Sequence, residues 1–355
     1  MTVEKGFIII SHGINQIPKL TIWEGQIMKK RIKKLVRICL LLAMLLVCAV
    51  GCGETPEEST TIRVGGMKGP TSMGLMFLQE KDAKAEAMED YEFQMVTAAD
   101  ELLPLMIKGE LDIALIPANV AAILYQKTEG QVSVIDINTL GVLYMVSGDA
   151  DIQSVADLKG KTIYLTGKGT TPDYVLNYIL SAGNMLQEVK LEYKSEATEV
   201  AALLAEQPDA IGLLPQPFVT VACMQNDKLQ VVLDMNEEWT RLQGENGSRM
   251  VTGVTVVRNE FLEKYPNAVK NFLQEHKESA EAINQDTKKG AELVVNAGII
   301  AKAPIAEKAI PKCNITFLAG EEMKKALSGY LEVLFEQNPT AVGGKLPGDG
   351  FYYVK

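Results

Sequence analysis

Hydroxyl and amide side chains stand just after several predicted strands, at the points where helices begin. The set comprises Thr71, Ser72, Asn119, Thr170, Thr171 and Gln216, and the cations nearest to it are Lys68 and Lys168. Backbone N–H groups in the first turn of a helix lack partners within the helix and carry positive partial charge. Together with these side chains they would form a site for an anionic or acceptor-rich small molecule. Each hydroxyl or amide could instead cap its helix, and each lysine could be a solvated surface residue.

Residues suited to acid–base or nucleophilic catalysis are scarce. After Cys52 the chain has a single histidine, His276, in a charged helical stretch, so we expect its side chain to be solvated. No cluster of His, Cys and carboxylates has the spacing of a zinc site, and no serine stands in a glycine-rich elbow. Residues 65–69 are glycine-rich but lack the dinucleotide and phosphate-loop patterns. We therefore predict a binding protein, not an enzyme, with no cofactor and no metal.

The segments that must position these residues alternate between short strands and longer helices from Ile62 onward. This alternation predicts an α/β fold. We expect two Rossmann-like lobes joined by two crossover strands, with a ligand cleft between them. Lobe 1 would comprise residues 62–140 and 250–355, and lobe 2 residues 141–249. At finer detail we predict one helix over 72–81, a long apolar strand over 140–147, and a mostly helical chain from 291 onward.

The first crossing between the lobes is the predicted hinge. Its candidate residues are 138–141, and Thr139 joins the ligand-binding set from this segment. Tyr144, just beyond it, could form an aromatic wall of the cleft.

Residues 28–53 combine a basic head, an apolar run and small residues before a cysteine. Six Lys or Arg residues lie between Lys29 and Arg37, and the apolar run over 38–50 follows them. That run is too short to span a bilayer, which takes about 20 residues. Ala49-Val50-Gly51-Cys52 resembles the lipobox of bacterial lipoproteins, in which the cysteine is acylated and becomes the first residue of the mature chain. The alternative is an ordinary secretory signal with an incidental cysteine.

The resemblance to a lipobox implies a signal peptide over 28–51, lipidation at Cys52 and a flexible polar tether over 52–61. The body of the protein would then lie at the extracytoplasmic face of the cell membrane, held by its lipid. Residues 1–27 have no place in such a signal, and Trp23-Glu24-Gly25 can be encoded by DNA containing GGGAGGG, which is similar to a ribosome-binding site. We predict that translation starts at Met28, a point that ribosome profiling tests. The alternative is a genuine cytoplasmic extension.

The charge of the chain after Cys52 argues against nucleic acid as a partner. This part contains 27 basic and 43 acidic residues, a formal net charge of −16. An acidic surface repels phosphate backbones. Two cysteines, Cys223 and Cys313, fall in the body, with Cys223 expected in the core, and whether they pair is open.

Four stretches resemble type II periplasmic solute-binding proteins of ABC importers, in particular the nitrate, sulfonate, taurine and pyrimidine-precursor class. They are residues 62–74, 109–119 (GELDIALIPAN), 154–163, which contains VADLKGKTI, and 214–218. The resemblance covers about residues 61–340 and implies a monomer that captures a small molecule by hinge closure and delivers it to an ABC permease. A lipoprotein that senses or presents its ligand is an alternative, and enzymes on this fold are a further one.

Overall fold

The computed structural model describes residues 60–244 and 247–354. These residues belong to one compact unit, Glu58–Lys355. The predictions for residues 1–27, for the signal peptide over 28–51, for Cys52 and for most of the tether concern residues outside the described ranges.

A six-stranded mixed sheet carries the first lobe, with strand order β11-β4-β10-β3-β1-β2. Its strands are β1 (Thr61–Met67), β2 (Asp90–Val96), β3 (Ile113–Pro117), β4 (Val132–Leu140), β10 (Val251–Arg258) and β11 (Ile315–Leu318). Strands β1, β2 and β3 are parallel, whereas β10 runs antiparallel to β3 and β4 and β11 runs antiparallel to β4.

A five-stranded mixed sheet carries the second lobe, with strand order β7-β6-β8-β5-β9. Its strands are β5 (Leu143–Ser147), β6 (Thr162–Thr166), β7 (Lys190–Lys194), β8 (Ile211–Pro215) and β9 (Gln230–Asp234). Strand β5 is antiparallel to both of its neighbours, and the remaining pairs are parallel.

Helices connect the strands and cover both sheets. In chain order they are α1 (Pro70–Met73), α2 (Met76–Ala83), α3 (Ala99–Lys108), α4 (Ala118–Lys127), α5 (Thr171–Ala182), α6 (Ala197–Glu206), α7 (Phe218–Gln225), α8 (Met235–Gln243), α9 (Asn259–Lys264), α10 (Pro266–Gln285), α11 (Thr287–Asn296), α12 (Ala303–Ala309) and α13 (Gly320–Gln337). Short 3-10 turns lie at Val155–Leu158, Ile310–Lys312, Pro339–Val342 and Asp349–Phe351. Among residues 60–244 and 247–354, no helix combines the length and apolar character that crossing a bilayer requires.

The chain changes sheet between β4 and β5, which are separated by Gly141 and Val142. It returns after α8 to β10, which pairs with β4. The structure thus has two α/β lobes with two connections between them, and the predicted fold class is confirmed.

The hydrophobic core is continuous between the lobes. One buried cluster includes Leu176 and Trp239 of the second lobe together with Tyr330 and Leu331 of the first. The Trp239 ring lies 5.4 Å from the Tyr330 ring and 4.7 Å from that of Tyr178. Since burying apolar area is the main favourable contribution to packing, these aromatic rings hold the two lobes against each other.

Three details of the secondary structure differ from the sequence prediction. The helix predicted over 72–81 is two helices, because the chain turns at Gly74 and Leu75 between α1 and α2. The long strand predicted over 140–147 begins only at Leu143, after the change of sheet. Helix α8 was not predicted, and β11 lies in a part of the chain predicted to be mostly helical.

Candidate functional site

Ser72 is a fully buried hydroxyl at the end of β1, where helix α1 begins. Its Oγ has no hydrogen-bond partner within the protein. The Ser72 side chain fits here because residue 66 is glycine. A Cβ at Gly66 would lie only 2.5 Å from Ser72 Oγ and would clash with it. The neighbouring Thr71 is also buried and packs over Gly253, which leaves room for it by having no side chain.

Strand β4 brings Asn138 and Thr139 to the same region. Thr139 Oγ1 donates a hydrogen bond to the carbonyl oxygen of Pro70, at 3.3 Å, so the end of β4 is tied to α1. Asn138 Nδ2 donates to Thr255 Oγ1 at 3.2 Å. Asn138 Oδ1 is buried without a partner and lies against Gly253.

Gln216 occupies the corresponding place in the second lobe, at the end of β8. Its backbone N–H donates to the carbonyl oxygen of Val142, in the segment where the chain changes sheet, at 3.0 Å. Its Oε1 accepts from Thr220 Oγ1 at 2.8 Å, while Nε2 is buried and has no partner.

Tyr330 adds a fourth polar group, on helix α13 between the lobes. Its hydroxyl is buried and has no hydrogen-bond partner. Burial raises the pKa of Tyr330, and the nearby Thr171 partly offsets this effect, although the two side chains are not in hydrogen-bond geometry. Thr171 itself is half-buried at the start of α5.

In the described residues, five buried side-chain polar atoms lack a partner, and one of them is His276 Nε2. We call the other four the unpartnered polar groups: Ser72 Oγ, Asn138 Oδ1, Gln216 Nε2 and Tyr330 Oη. Buried polar atoms are almost always paired in native proteins, so these exceptions require an explanation.

The structure places the remaining predicted site residues differently. Lys68, Lys168 and Thr170 are exposed, and Asn119 is half-buried. Lys168 Nζ lies over the Tyr193 ring at 5.4 Å. Thr170 Oγ1 donates to Gly167 O at 2.6 Å, and Asn119 Nδ2 donates to Ala341 O at 3.4 Å. The contacts of Lys168, Thr170 and Asn119 are thus with groups other than the unpartnered polar groups.

The alternative prediction, that the hydroxyl and amide side chains of this set cap their helices, is not observed. Helices α1, α4, α5 and α7 begin without a hydrogen bond from a capping side chain. Their first N–H groups are thus not satisfied by side-chain caps.

The prediction for His276 was wrong. Its side chain is completely buried in α10, between the rings of Phe272 at 5.4 Å and Phe317 at 5.9 Å. Its Nδ1 lies 3.3 Å from Asp136 Oδ2, and Asp136 is completely buried in β4. The charged neighbours of His276 in sequence suggested a solvated face, but the helix turns this residue toward the sheet.

Thr255 links the Asp136–His276 pair to Asn138. Thr255 Oγ1 donates to Asp136 Oδ1 at 2.9 Å and accepts from Asn138 Nδ2. Sequence reasoning treated Asn138 only as a hinge candidate and missed Asp136, Thr255 and Tyr330. A signal for Asp136 was present, because a carboxylate inside an otherwise apolar strand needs a buried partner.

Comparisons with known proteins assign this chain to a family. The sequence profile of the family described as Menaquinone biosynthesis matches residues 74–336, which is about three quarters of the chain. The chain belongs to this family.

This member of the menaquinone-biosynthesis family is similar in sequence to one group of proteins and similar in structure to another. A candidate binding protein of Brucella abortus (strain 2308) is 25% identical over 232 residues, which cover 64% of this chain and 69% of the relative. The crystal structure of an ABC transporter from Parabacteroides distasonis is 26% identical, with a TM-score of 0.70, and covers 84% of this chain and 100% of its own. The periplasmic aliphatic sulphonate binding protein of Escherichia coli has a TM-score of 0.64 at 16% identity, over 84% of this chain and 92% of its own.

These similarities confirm the predicted resemblance to periplasmic solute-binding proteins of ABC importers. The menaquinone-biosynthesis family match includes Asn138, Gln216 and Tyr330 but begins two residues after Ser72.

Further polar contacts join the two lobes of this menaquinone-biosynthesis family member. Tyr144 Oη, on β5, donates to Lys312 O at 2.7 Å. Asn338 Nδ2 donates to Tyr174 Oη at 2.8 Å. Tyr144, predicted as a possible wall of the cleft, is thus buried in a contact between lobes, and burial raises the pKa of its hydroxyl.

The two cysteines of the described residues are free. Cys223 is half-buried and Cys313 is buried; burial raises the pKa of both thiols, to about 12 for Cys313. Within residues 60–244 and 247–354, no three His, Cys, Asp or Glu side chains are grouped so that they could hold a metal ion.

Proposed function

We propose that this protein captures a small molecule between its two lobes and delivers it to the permease of an ABC importer. The observation that carries the proposal is the presence of unpartnered polar groups in both lobes. Each buried group without a partner costs about 1–3 kcal/mol of stability. A ligand that bonds these groups would recover that free energy and would draw the two lobes together.

The relatives support this proposal. The Parabacteroides distasonis protein, at 26% identity, is described as an ABC transporter, and the Brucella relatives are named as candidate binding proteins. The Escherichia coli neighbour binds aliphatic sulphonates, and its likeness supports the fold. We further propose that lobe 1 comprises residues 62–140 and 250–355, that lobe 2 comprises 141–249, and that the hinge lies over 138–141.

The chemistry of the site favours an uncharged or weakly acidic ligand. The side chains that bear the unpartnered polar groups have no formal charge, and Lys68 and Lys168 are exposed. Sulfonate or nitrate would bring a full charge to these uncharged groups in a buried place, which is unfavourable. Hydroxyl and amide groups are sufficient for a neutral heterocycle.

Location and anchoring belong to the same proposal. A lipid on Cys52 and a short polar tether would hold a monomeric receptor at the extracytoplasmic face, within reach of its permease. Mass spectrometry of the protein from membranes tests this anchor: we expect Cys52 at the N-terminus with acyl chains, and an unmodified Cys52 would contradict it.

A thermal-shift screen tests ligand capture. The purified protein is melted with sulfonates, nitrate, bicarbonate, pyrimidines and other heterocycles, and we expect a heterocycle to raise the melting temperature. Gln216→Leu, which removes the unpartnered amide, should abolish most of the increase, whereas the exposed Thr170→Ala should keep it. If no compound shifts melting, the proposed function is wrong.

A second candidate, an enzyme, is favoured by the family description and by the buried Asp136–His276 pair. Against this, His276 is completely buried, and its Nε2 lies beside Gly74, the residue that follows α1, where a Cβ would be 3.4 Å away. Mass spectrometry of each bound compound after incubation separates the two candidates. We expect the mass to be unchanged, and a new product would favour the enzyme.

A further inference from the structure

Building on the function proposed above, we infer that Asn138 binds a hydrogen-bond donor of the ligand through Oδ1, and that Thr255, Asp136 and His276 hold the Asn138 amide in the required orientation. Asn138 would therefore be a specificity-determining residue. The other three are positioning residues, because they act only through Asn138.

The direction of each hydrogen bond follows from the chemistry of the acceptor at its end. A carboxylate only accepts, so Asp136 Oδ1 must take the single proton of the Thr255 hydroxyl, at 2.9 Å. The oxygen of Thr255 is then left to accept a bond. The group 3.2 Å away on Asn138 must therefore be the nitrogen, Nδ2, and Oδ1 must point elsewhere.

His276 fixes the other end of this chain of hydrogen bonds. Its Nδ1 lies 3.3 Å from Asp136 Oδ2, so an N–H on that nitrogen occupies the second carboxylate oxygen. The Phe272 and Phe317 rings flank the imidazole. These contacts hold the carboxylate of Asp136 in place for its hydrogen bond with Thr255.

Because these residues are buried, the side-chain amide of Asn138 is held firmly in one orientation. Asn138 is 1% exposed, and Thr255, Asp136 and His276 are 0% exposed. Rotating the amide by half a turn would place Oδ1 against the oxygen of Thr255, whose only proton is donated to Asp136. Two acceptors facing each other at a buried position are costly, so the protein presents an acceptor and excludes the alternative donor.

Gln216 supplies the complementary group from the other lobe. Because the Thr220 hydroxyl donates to its Oε1, its Nε2 remains as a donor. A ligand that satisfies both residues needs an N–H or O–H for Asn138 and an acceptor oxygen or nitrogen for Gln216. Lactams and cyclic imides, in which N–H stands beside C=O, have both.

The first experiment tests the orientation without a ligand. Side-chain ¹⁵N–¹H NMR of the ligand-free protein compares wild type, Thr255→Val and Thr255→Ser. Valine removes the hydroxyl, so we expect the resonances of the Asn138 amide and the His276 ring to shift, and serine should restore them. Unchanged resonances in Thr255→Val, or equal shifts in both variants, would overturn the positioning role.

The second experiment tests the ligand class. The compound with the largest thermal shift is compared with its N- or O-methylated form, beginning with uracil and 1,3-dimethyluracil. Methylation removes the donors but keeps the acceptors, so we expect affinity to fall at least about tenfold, as for loss of one buried hydrogen bond. Equal binding of both forms would overturn this inference and leave capture of a small molecule intact. If nothing binds, the proposed function fails instead.

Discussion

The hydroxyl groups of Ser72 and Tyr330 are buried without a hydrogen-bond partner. A group of this kind lowers stability in the absence of a ligand and becomes useful only when a ligand bonds it. Removing such a hydroxyl should therefore raise the stability of the ligand-free protein and weaken ligand binding.

Tyr330→Phe should raise the free energy of unfolding of the ligand-free protein by up to about 1 kcal/mol, because it removes an unsatisfied oxygen. The control is Thr220→Val, which removes a hydroxyl that does have a partner, Gln216 Oε1, and should lower the free energy of unfolding by about 1 kcal/mol. Urea denaturation measures both. A clear loss of stability in Tyr330→Phe would show that its hydroxyl has a partner.

Asn138→Asp tests the hydrogen bonds around Thr255. The Thr255 hydroxyl has one proton, which Asp136 already accepts, so a second carboxylate would be buried without a donor. We expect a loss of at least about 3 kcal/mol in the free energy of unfolding. Asn119→Asp, at a half-buried position with a long bond to Ala341 O, should cost much less. Similar losses in the two variants would contradict the network.

At the scale of elements, Asp112 joins three strands at the end of the first sheet opposite the candidate site. It precedes β3 and accepts from Arg63 of β1, at 2.6 and 2.8 Å, and from Arg258 of β10, at 2.9 Å. Burial by itself would raise the pKa of Asp112, but the hydrogen bonds from the two arginines outweigh burial, and the pKa is lowered.

Acid should therefore remove the contribution of Asp112 to stability. Its pKa is lower in the folded than in the unfolded state, where the ordinary value is 3.8, so the contribution is complete above that pH and is lost as the pH falls through the folded pKa. We expect Asp112→Asn to destabilise the protein at pH 7, and its difference from wild type to shrink below about pH 4. Asp349→Asn, at an exposed pair with Lys324, should change little. A constant difference for Asp112→Asn down to pH 2 would be the contrary result.

The order of strands and helices could be predicted from hydrophobic periodicity, because most elements are bounded by glycine, proline or polar residues. Helix α8 was missed, although Asp234 accepts from the N–H groups of Asn236 and Glu237 and is itself a start signal. Strand β11 has only four residues and lies at the edge of a sheet, so its pattern is too short to be distinctive.

The candidate site was harder to predict, because burial decides which polar residues lack partners. Ser72, Thr71 and Gln216 were identified from their positions after strands and Thr139 from the predicted hinge segment, and all four are buried. His276 was misjudged because Glu275 and Lys277 flank it. The spacing of Phe272, His276, Ala280 and Ile283 nevertheless follows one face of a helix, and these residues are all buried.

For the whole molecule, the contacts between lobes set the balance between open and closed states. Trp239 of the second lobe packs on Tyr330 of the first, so its exposure to solvent reports opening. Tyr144 contributes one hydrogen bond across the lobes, to Lys312 O.

Tyr144→Phe should loosen this contact and make Trp239 more accessible to acrylamide, because about 1 kcal/mol of hydrogen bonding between lobes is lost. Fluorescence quenching measures it, since Trp239 is the single tryptophan of the sequence from Met28 onward. Tyr193→Phe is the matched control, since the Tyr193 hydroxyl bonds Asp173 within the second lobe, and quenching should stay at the wild-type level. Equal quenching in wild type and Tyr144→Phe would show that this bond does not hold the lobes together.

Hydrogen–deuterium exchange of the purified protein, with and without the compound that raises its melting temperature most, tests capture between the lobes most directly. We predict that the compound slows exchange in both lobes together, over residues 70–73 and 138–142 and over residues 216–220, because polar groups of each lobe would bond it. Slower exchange in a single lobe, or at a surface away from these segments, would contradict the account.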